Sequence, residues 1–180
     1  MFDTIFLDRD GTINGDPLGY INSLSDYHFY DYTFEALDIL KKYSNNLVIV
    51  TNQSGLAEGK LDINNLNEIH HFVREEFEKR GLNLRAIYFS QDYHEDFNSM
   101  RKPGIGMFLK AKEELDIDLK NSLMIGDSIV DIQAAERAEM KSIFLLSGQG
   151  ESYLEDVKRD YKPNLIANNL LHAAKEITSI

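Results

Sequence analysis

Short runs of apolar residues alternate along the chain with longer stretches in which apolar residues recur every three or four positions. The runs at 2–7, 47–50, 84–89, 122–125 and 141–146 read as buried strands, with 164–167 as a short sixth. The periodic stretches at 33–43, 64–80, 106–115, 129–138 and 169–177 read as helices. In the second of these, Leu66, Ile69, Val73 and Phe77 recur at helical spacing and Gly81 supplies the stop. Strands alternating with helices predict an α/β fold, a doubly wound Rossmann-like parallel sheet covered on both faces. There is no internal repeat, low-complexity segment or linker, and 180 residues suit a single domain over 1–180.

Open sheets of this kind bind ligands beyond the carboxyl ends of their strands. Polar clusters sit just there. Asp8-Arg9-Asp10-Gly11-Thr12 follows the first strand, Thr51-Asn52-Gln53-Ser54-Gly55 the second, and Gly126-Asp127-Ser128 the fourth, while Arg101-Lys102 precedes a helix. These four loops can converge on one crevice. Residues 14–31, with Gly15, Pro17 and Gly19, read as a loop too short for a cap domain, so an essentially capless and open site is expected.

Composition narrows the chemistry. The chain has no cysteine, which removes disulfides, thiol nucleophiles and thiolate zinc sites. A formal net charge of −11 with no long basic run argues against DNA, RNA and anionic membrane surfaces as partners. No apolar stretch is long enough to span a membrane. Residues 1–10 lack the features of a secretion signal, so a cytoplasmic protein, expected as a monomer, is the default reading. A small phosphate compound remains compatible with this charge if cations and backbone amides gather locally.

Each polar cluster has a chemical and a plain structural interpretation. Asp8 and Asp10 at a strand end suit a nucleophile and a proton-handling partner, or merely cap a turn. Asp127 suits a hard cation, since Asp8 nearby would otherwise repel it. Ser128 to Asp131 has the form of a capping box, so Asp131 starts its helix whether or not it also serves the site. Arg101 and Lys102 stand at a helix start, where cations are disfavoured, so a negative partner is expected, the alternative being a solvated surface pair. The Thr51 hydroxyl with the amides of Asn52 and Gln53 can hold a phosphate oxygen, or Thr51 can simply begin a turn. His28, His70, His71 and His172 read as surface or partly buried residues, and His94 lies in the loop after the third strand.

Taken in order, the Asp-x-Asp-Gly-Thr, Thr, Lys and Gly-Asp-x-x-x-Asp elements resemble those of the haloacid dehalogenase (HAD) superfamily of phosphohydrolases, over nearly the whole chain. Asp8 to Asn14, Gly19-Tyr20, Val50 to Gly55, Arg101-Lys102-Pro103 with Gly106-Met107, and Gly126-Asp127 are closer still to its subfamily IIIA. There the resemblance is to the heptose 1,7-bisphosphate phosphatases, with the histidinol-phosphate phosphatases as the related group. The resemblance implies a magnesium-dependent phosphatase of a small phosphorylated metabolite. Asp8 would be the nucleophile and Asp10 the general acid and base, protonated when substrate binds through a raised pKa. Asp8, the Asp10 carbonyl and Asp127 would hold Mg²⁺, Thr51 and Lys102 would stabilise the phosphoryl oxygens, and Asp131 would support Lys102. Asn14, Tyr20, Asn52, Gln53 and Arg101 would meet the substrate. One departure stands out: the zinc loop usual in those heptose phosphatases is replaced by residues 90–100, with only Asp92, His94, Glu95 and Asp96 as potential ligands, so structural zinc is not expected. A non-enzymatic phospho-switch, a silent binding module and a phosphomutase are the rival readings.

Overall fold

The computed structural model describes residues 1–16, 19–92 and 96–180. Six strands form one parallel sheet: β1 (Ile5–Leu7), β2 (Leu47–Asn52), β3 (Leu84–Ser90), β4 (Leu123–Gly126), β5 (Lys141–Leu145) and β6 (Leu165–Ala167). Their spatial order is β3-β2-β1-β4-β5-β6, so the chain reverses direction of travel across the sheet between β1 and β4. Leu7 lies opposite both Ile49 and Ile125, so Asp8, next after β1, falls within one residue of the levels of Thr51 and Asp127. That alignment sets the loops carrying Asp8, Thr51 and Asp127 side by side.

Strand β1, residues 47–50 of β2 and residues 123–125 of β4 are apolar because both of their faces are covered. Ile5, Leu7, Ile49 and Ile125 pack on one face with α1 (Thr33–Leu40), α2 (Ile63–Lys79) and α6 (Leu170–Glu176). Phe6, Val48, Val50 and Met124 pack on the other with α3 (Gly106–Leu115) and α4 (Ile129–Arg137). Phe6 meets Phe108 of α3 edge-on at 5.0 Å, an aromatic contact contributing about 1 kcal/mol beyond its buried area. Helix α2 begins where the Asp62 carboxylate accepts from the amides of Asn64 and Asn65, and ends before Gly81, whose φ of +64° suits glycine.

Most predicted elements match within a few residues. An additional helix, α5 (Gly150–Asp160), follows β5, and no expectation covered it. Tyr153, Val157 and Tyr161 recur every four residues and pack with Ile132 and Phe144, a short apolar stripe on an otherwise charged segment. Between β1 and α1, the described residues contain one three-residue turn of 3-10 helix, Leu24–Asp26, and a bridge from Asn14 to Phe29. The site is therefore not covered by a folded cap among the described residues. No helix among them is long and apolar enough to cross a membrane.

Candidate active site

The four predicted loops do converge. Asp8, Asp10, Thr51, Asn52, Gln53, Arg101, Lys102 and Asp127 all line one cavity of about 310 Å³ at the carboxyl ends of β1, β2 and β4, beside the switch in strand order.

Lys102 is the centre of its charge balance. It is not a solvated surface cation: its side chain is 1% exposed, and its Nζ donates to Asp131 Oδ1 at 2.6 Å and to the Val50 carbonyl at 2.8 Å. The same Nζ forms an ion pair with Asp8 Oδ1 at 2.9 Å. Burial works against the ammonium, but Asp131 and Asp8 outweigh it and hold the Lys102 pKa above its usual value. The negative partner expected for this cation is thus a pair of carboxylates. Asp131 serves two ends at once, because its Oδ2 also accepts from the Ser128 amide at 3.0 Å and starts α4.

Asp127 is placed by close backbone approach. Its Oδ2 accepts from the Gln149 amide at 2.9 Å, and Gly11 and Gly148 pass so near that a Cβ on either would overlap its carboxylate. Both glycines also have positive φ, +82° and +57°. Carboxylate oxygens of Asp8, Asp127 and Asp131 lie within 4.8 Å of one another. Burial, assisted by the neighbouring acids, raises the Asp8 pKa to about 7 against the pull of Lys102. Burial and then Asp8 raise that of Asp127 as well. A buried all-oxygen cluster whose anions destabilise one another is the donor set a small hard divalent cation fits.

Asp10 differs from the expectation of a raised pKa. Burial disfavours its charge, but Arg9, Asn14 and Gln53 prevail and hold it below the usual carboxylate range. Arg9 grips it with two nitrogens, Nε to Oδ1 at 3.0 Å and Nη2 to Oδ2 at 2.7 Å. Asn14 Nδ2 donates to Oδ1 at 2.8 Å and Gln53 Nε2 to Oδ2 at 2.9 Å. Arg9 and His70 are among the site residues that sequence reasoning missed, as are the cavity-lining Asp16, Gln149 and Tyr153. Arg9 is fully buried, its Nη1 lying 3.2 Å from His70 Nε2. Burial and the guanidinium depress the His70 pKa to about 3, so the ring is neutral and accepts from Arg9. His70 is therefore a buried residue, against the surface or partly buried reading.

The expected substrate residues divide. Tyr20, Asn52, Gln53 and Arg101 line the cavity, whereas Asn14 is fully buried and contacts Asp10 from behind. Asn52 is also a clamp: its side chain accepts from the Lys102 amide and donates to the Lys102 carbonyl, both at 2.9 Å. Gln53 links Asp10 to the Thr51 hydroxyl, which accepts from it at 2.9 Å. Tyr20 rests over Gly55, where a Cβ would strike its ring, and donates to Glu58 at 2.9 Å. His94 and Glu95 of the 90–100 loop lie outside the described residues. The Asp92 amide donates to the Ser90 hydroxyl, and the Asp96 carbonyl accepts from the Ser99 amide.

Fold and site together define the class. The chain is a HAD-type hydrolase, and the HAD-hydrolase-like family model matches residues 99–173. The D-glycero-beta-D-manno-heptose-1,7-bisphosphate 7-phosphatase of Photorhabdus laumondii is 36% identical over 184 residues, which span 98% of this chain and 95% of the relative. The D-glycero-alpha-D-manno-heptose-1,7-bisphosphate 7-phosphatase of Campylobacter jejuni is 37% identical, across 79% and 81% of the two chains. A solved structure of D,D-heptose 1,7-bisphosphate phosphatase from B. bronchiseptica, complexed with magnesium and phosphate, matches with a TM-score of 0.85 and 28% identity, covering 98% of each chain. The chain belongs to this heptose 1,7-bisphosphate phosphatase family.

Proposed function

We propose that the protein is a magnesium-dependent phosphatase that hydrolyses D-glycero-D-manno-heptose 1,7-bisphosphate, at the 7-phosphate, through an aspartyl phosphate on Asp8. The observation that carries this reading is the meeting of Asp8, Asp127, Lys102 and Thr51 around one cavity. It is supported by relatives that bear this activity in their names across nearly the full chain.

In this mechanism Asp8 attacks phosphorus and the sugar oxygen leaves. Asp8, Asp127 and the Asp10 carbonyl would hold Mg²⁺, which would supply Lewis-acid charge to offset repulsion between the carboxylate and the phosphoryl group. Lys102 and Thr51 donate to phosphoryl oxygens as charge shifts onto them. Asp10 protonates the leaving oxygen and then deprotonates the water that releases phosphate. Arg9 keeps Asp10 ionised in the substrate-free protein, so Asp10 acquires its proton in the complex, where phosphoryl charge opposes Arg9. Arg101 and Tyr20 meet the remainder of the substrate. The test is release of inorganic phosphate from both heptose anomers and from histidinol phosphate. Activity should vanish with chelator and return with Mg²⁺. Turnover indifferent to chelation would refute the metal-dependent reading.

Two predictions concern the metal. Gly148→Ala drives a Cβ into Asp127 Oδ2, so the carboxylate must shift. The Mg²⁺ concentration for half-maximal activity should rise about tenfold or more; an unchanged Mg²⁺ titration would remove Asp127 from the metal. The second concerns pH. Asp8 moves from 3.8 to about 7 on folding, and Asp127 also rises. Between those pH values the folded chain binds more protons than the unfolded one, so metal-free stability falls as pH rises through that window. Mg²⁺ should therefore raise the melting temperature more at pH 8 than at pH 5, and equal shifts would contradict the assignment.

A further inference from the structure

Arg9 does not line the cavity, yet it fixes Asp10 more completely than any residue that does. Asn14 and Gln53 each donate to one oxygen of the Asp10 carboxylate, whereas Arg9 donates to both. A guanidinium is planar, so this pair of bonds makes the carboxylate follow the plane of the guanidinium. Whatever fixes Arg9 therefore aims the acid.

Two buried side chains outside the cavity do so. The Arg9 Cζ lies 5.9 Å from the centre of the Tyr27 ring, within range of a cation–π contact. His70, in α2, places its Nε2 3.2 Å from Arg9 Nη1, the guanidinium nitrogen that Asp10 does not use. With partners at all three nitrogens, the guanidinium cannot rock about its bonds to Asp10. The His70 ring is itself held, packed against Phe89 of β3 with 5.6 Å between ring centres. Its companions on that face of α2 are Leu66, Val73 and Phe77. An apolar side chain would complete the stripe, and a polar ring is costly there unless it is paired. Its pair is Arg9.

We infer that His70 is a positioning residue for general acid catalysis: it accepts from Arg9 Nη1 and so fixes the guanidinium that aims the Asp10 carboxylate. This rests on the phosphatase reading above, in which Asp10 protonates the leaving oxygen. The effect of His70 passes entirely through Arg9.

The experiment compares phenyl phosphate, whose phenolate leaves poorly without a proton, with dinitrophenyl phosphate, whose leaving group needs none. Both are measured with the wild type, His70→Leu and His70→Gln. The value of kcat/KM reads the steps up to departure of the leaving group. In His70→Leu it should fall about tenfold or more for phenyl phosphate and stay within about twofold for dinitrophenyl phosphate. Glutamine offers a side-chain oxygen in place of Nε2, so His70→Gln should restore most of the phenyl phosphate value. Melting curves check folding, and if the leucine variant does not fold, the smaller His70→Ala takes its place with the same contrast expected. Equal falls for the two esters, no fall for either, or a glutamine variant as impaired as the leucine one would overturn the inference. A wild type that hydrolyses neither ester would instead overturn the phosphatase reading.

Discussion

Asp8→Asn should lose at least about a thousandfold in turnover, yet leave a metal-free protein more stable at neutral pH than the wild type. The two effects have one origin. Asp8 sits within reach of Asp127 and Asp131, with Lys102 as the shared cation. Burial makes its charge costly, which is why its pKa climbs to about 7. An amide at this position cannot attack phosphorus, but neither does it repel its neighbours. The gain should be on the order of 4 kcal/mol above pH 7 without Mg²⁺ and should disappear below about pH 4. Denaturant melts of both proteins at the two pH values read it. A variant that kept turnover would end the case for covalent catalysis at Asp8, and one less stable at every pH would end the case for stored charge repulsion.

Lys102→Met has the opposite stability sign. It leaves Asp131, whose side chain is fully buried, without its cation, and orphans the bond to the Val50 carbonyl. Breaking a buried pair from one side costs about 3–5 kcal/mol. Turnover should also fall by about a hundredfold or more through loss of a donor to the phosphoryl oxygens. Adding Asp131→Asn separates the two losses. The introduced amide retains an oxygen for the Ser128 amide but carries no charge, so the double variant should recover more than half of the lost stability while activity stays lost. Stability that does not return would mean that Lys102 acts by packing rather than by charge.

The parts of this site that could be read in the sequence are those tied to strand ends. Continuous apolar runs followed by acids or a hydroxyl located Asp8, Thr51 and Asp127, because a strand buried on both faces leaves its chemistry nowhere else to go. Lys102 was legible as an anomaly, a cation at a helix start inside an acidic protein, although its burial was not. Arg9 was hidden by its neighbours, since a residue flanked by two functional acids draws attention to them. Its side chain runs to α2, where it meets His70. That histidine did leave a signal: Leu66, His70, Val73 and Phe77 share one helical face, and all are buried. Asn14 was assigned to the substrate from its motif, but its position against Asp10 depends on the turn at Gly11, which spacing alone does not describe. Helix α5 did leave a signal, Tyr153, Val157 and Tyr161 at four-residue spacing, but that stripe is short and lies on a highly charged segment.

The covalent role of Asp8 is tested most directly in Asp10→Asn with dinitrophenyl phosphate. That leaving group departs without a proton, so the first step survives, whereas release of phosphate still needs the missing base. The account predicts a burst of one equivalent of dinitrophenolate per enzyme, then a stall, with phosphate recovered on the Asp8 peptide by mass spectrometry. Steady turnover without a burst, or a phosphoryl group found on another residue, would contradict it.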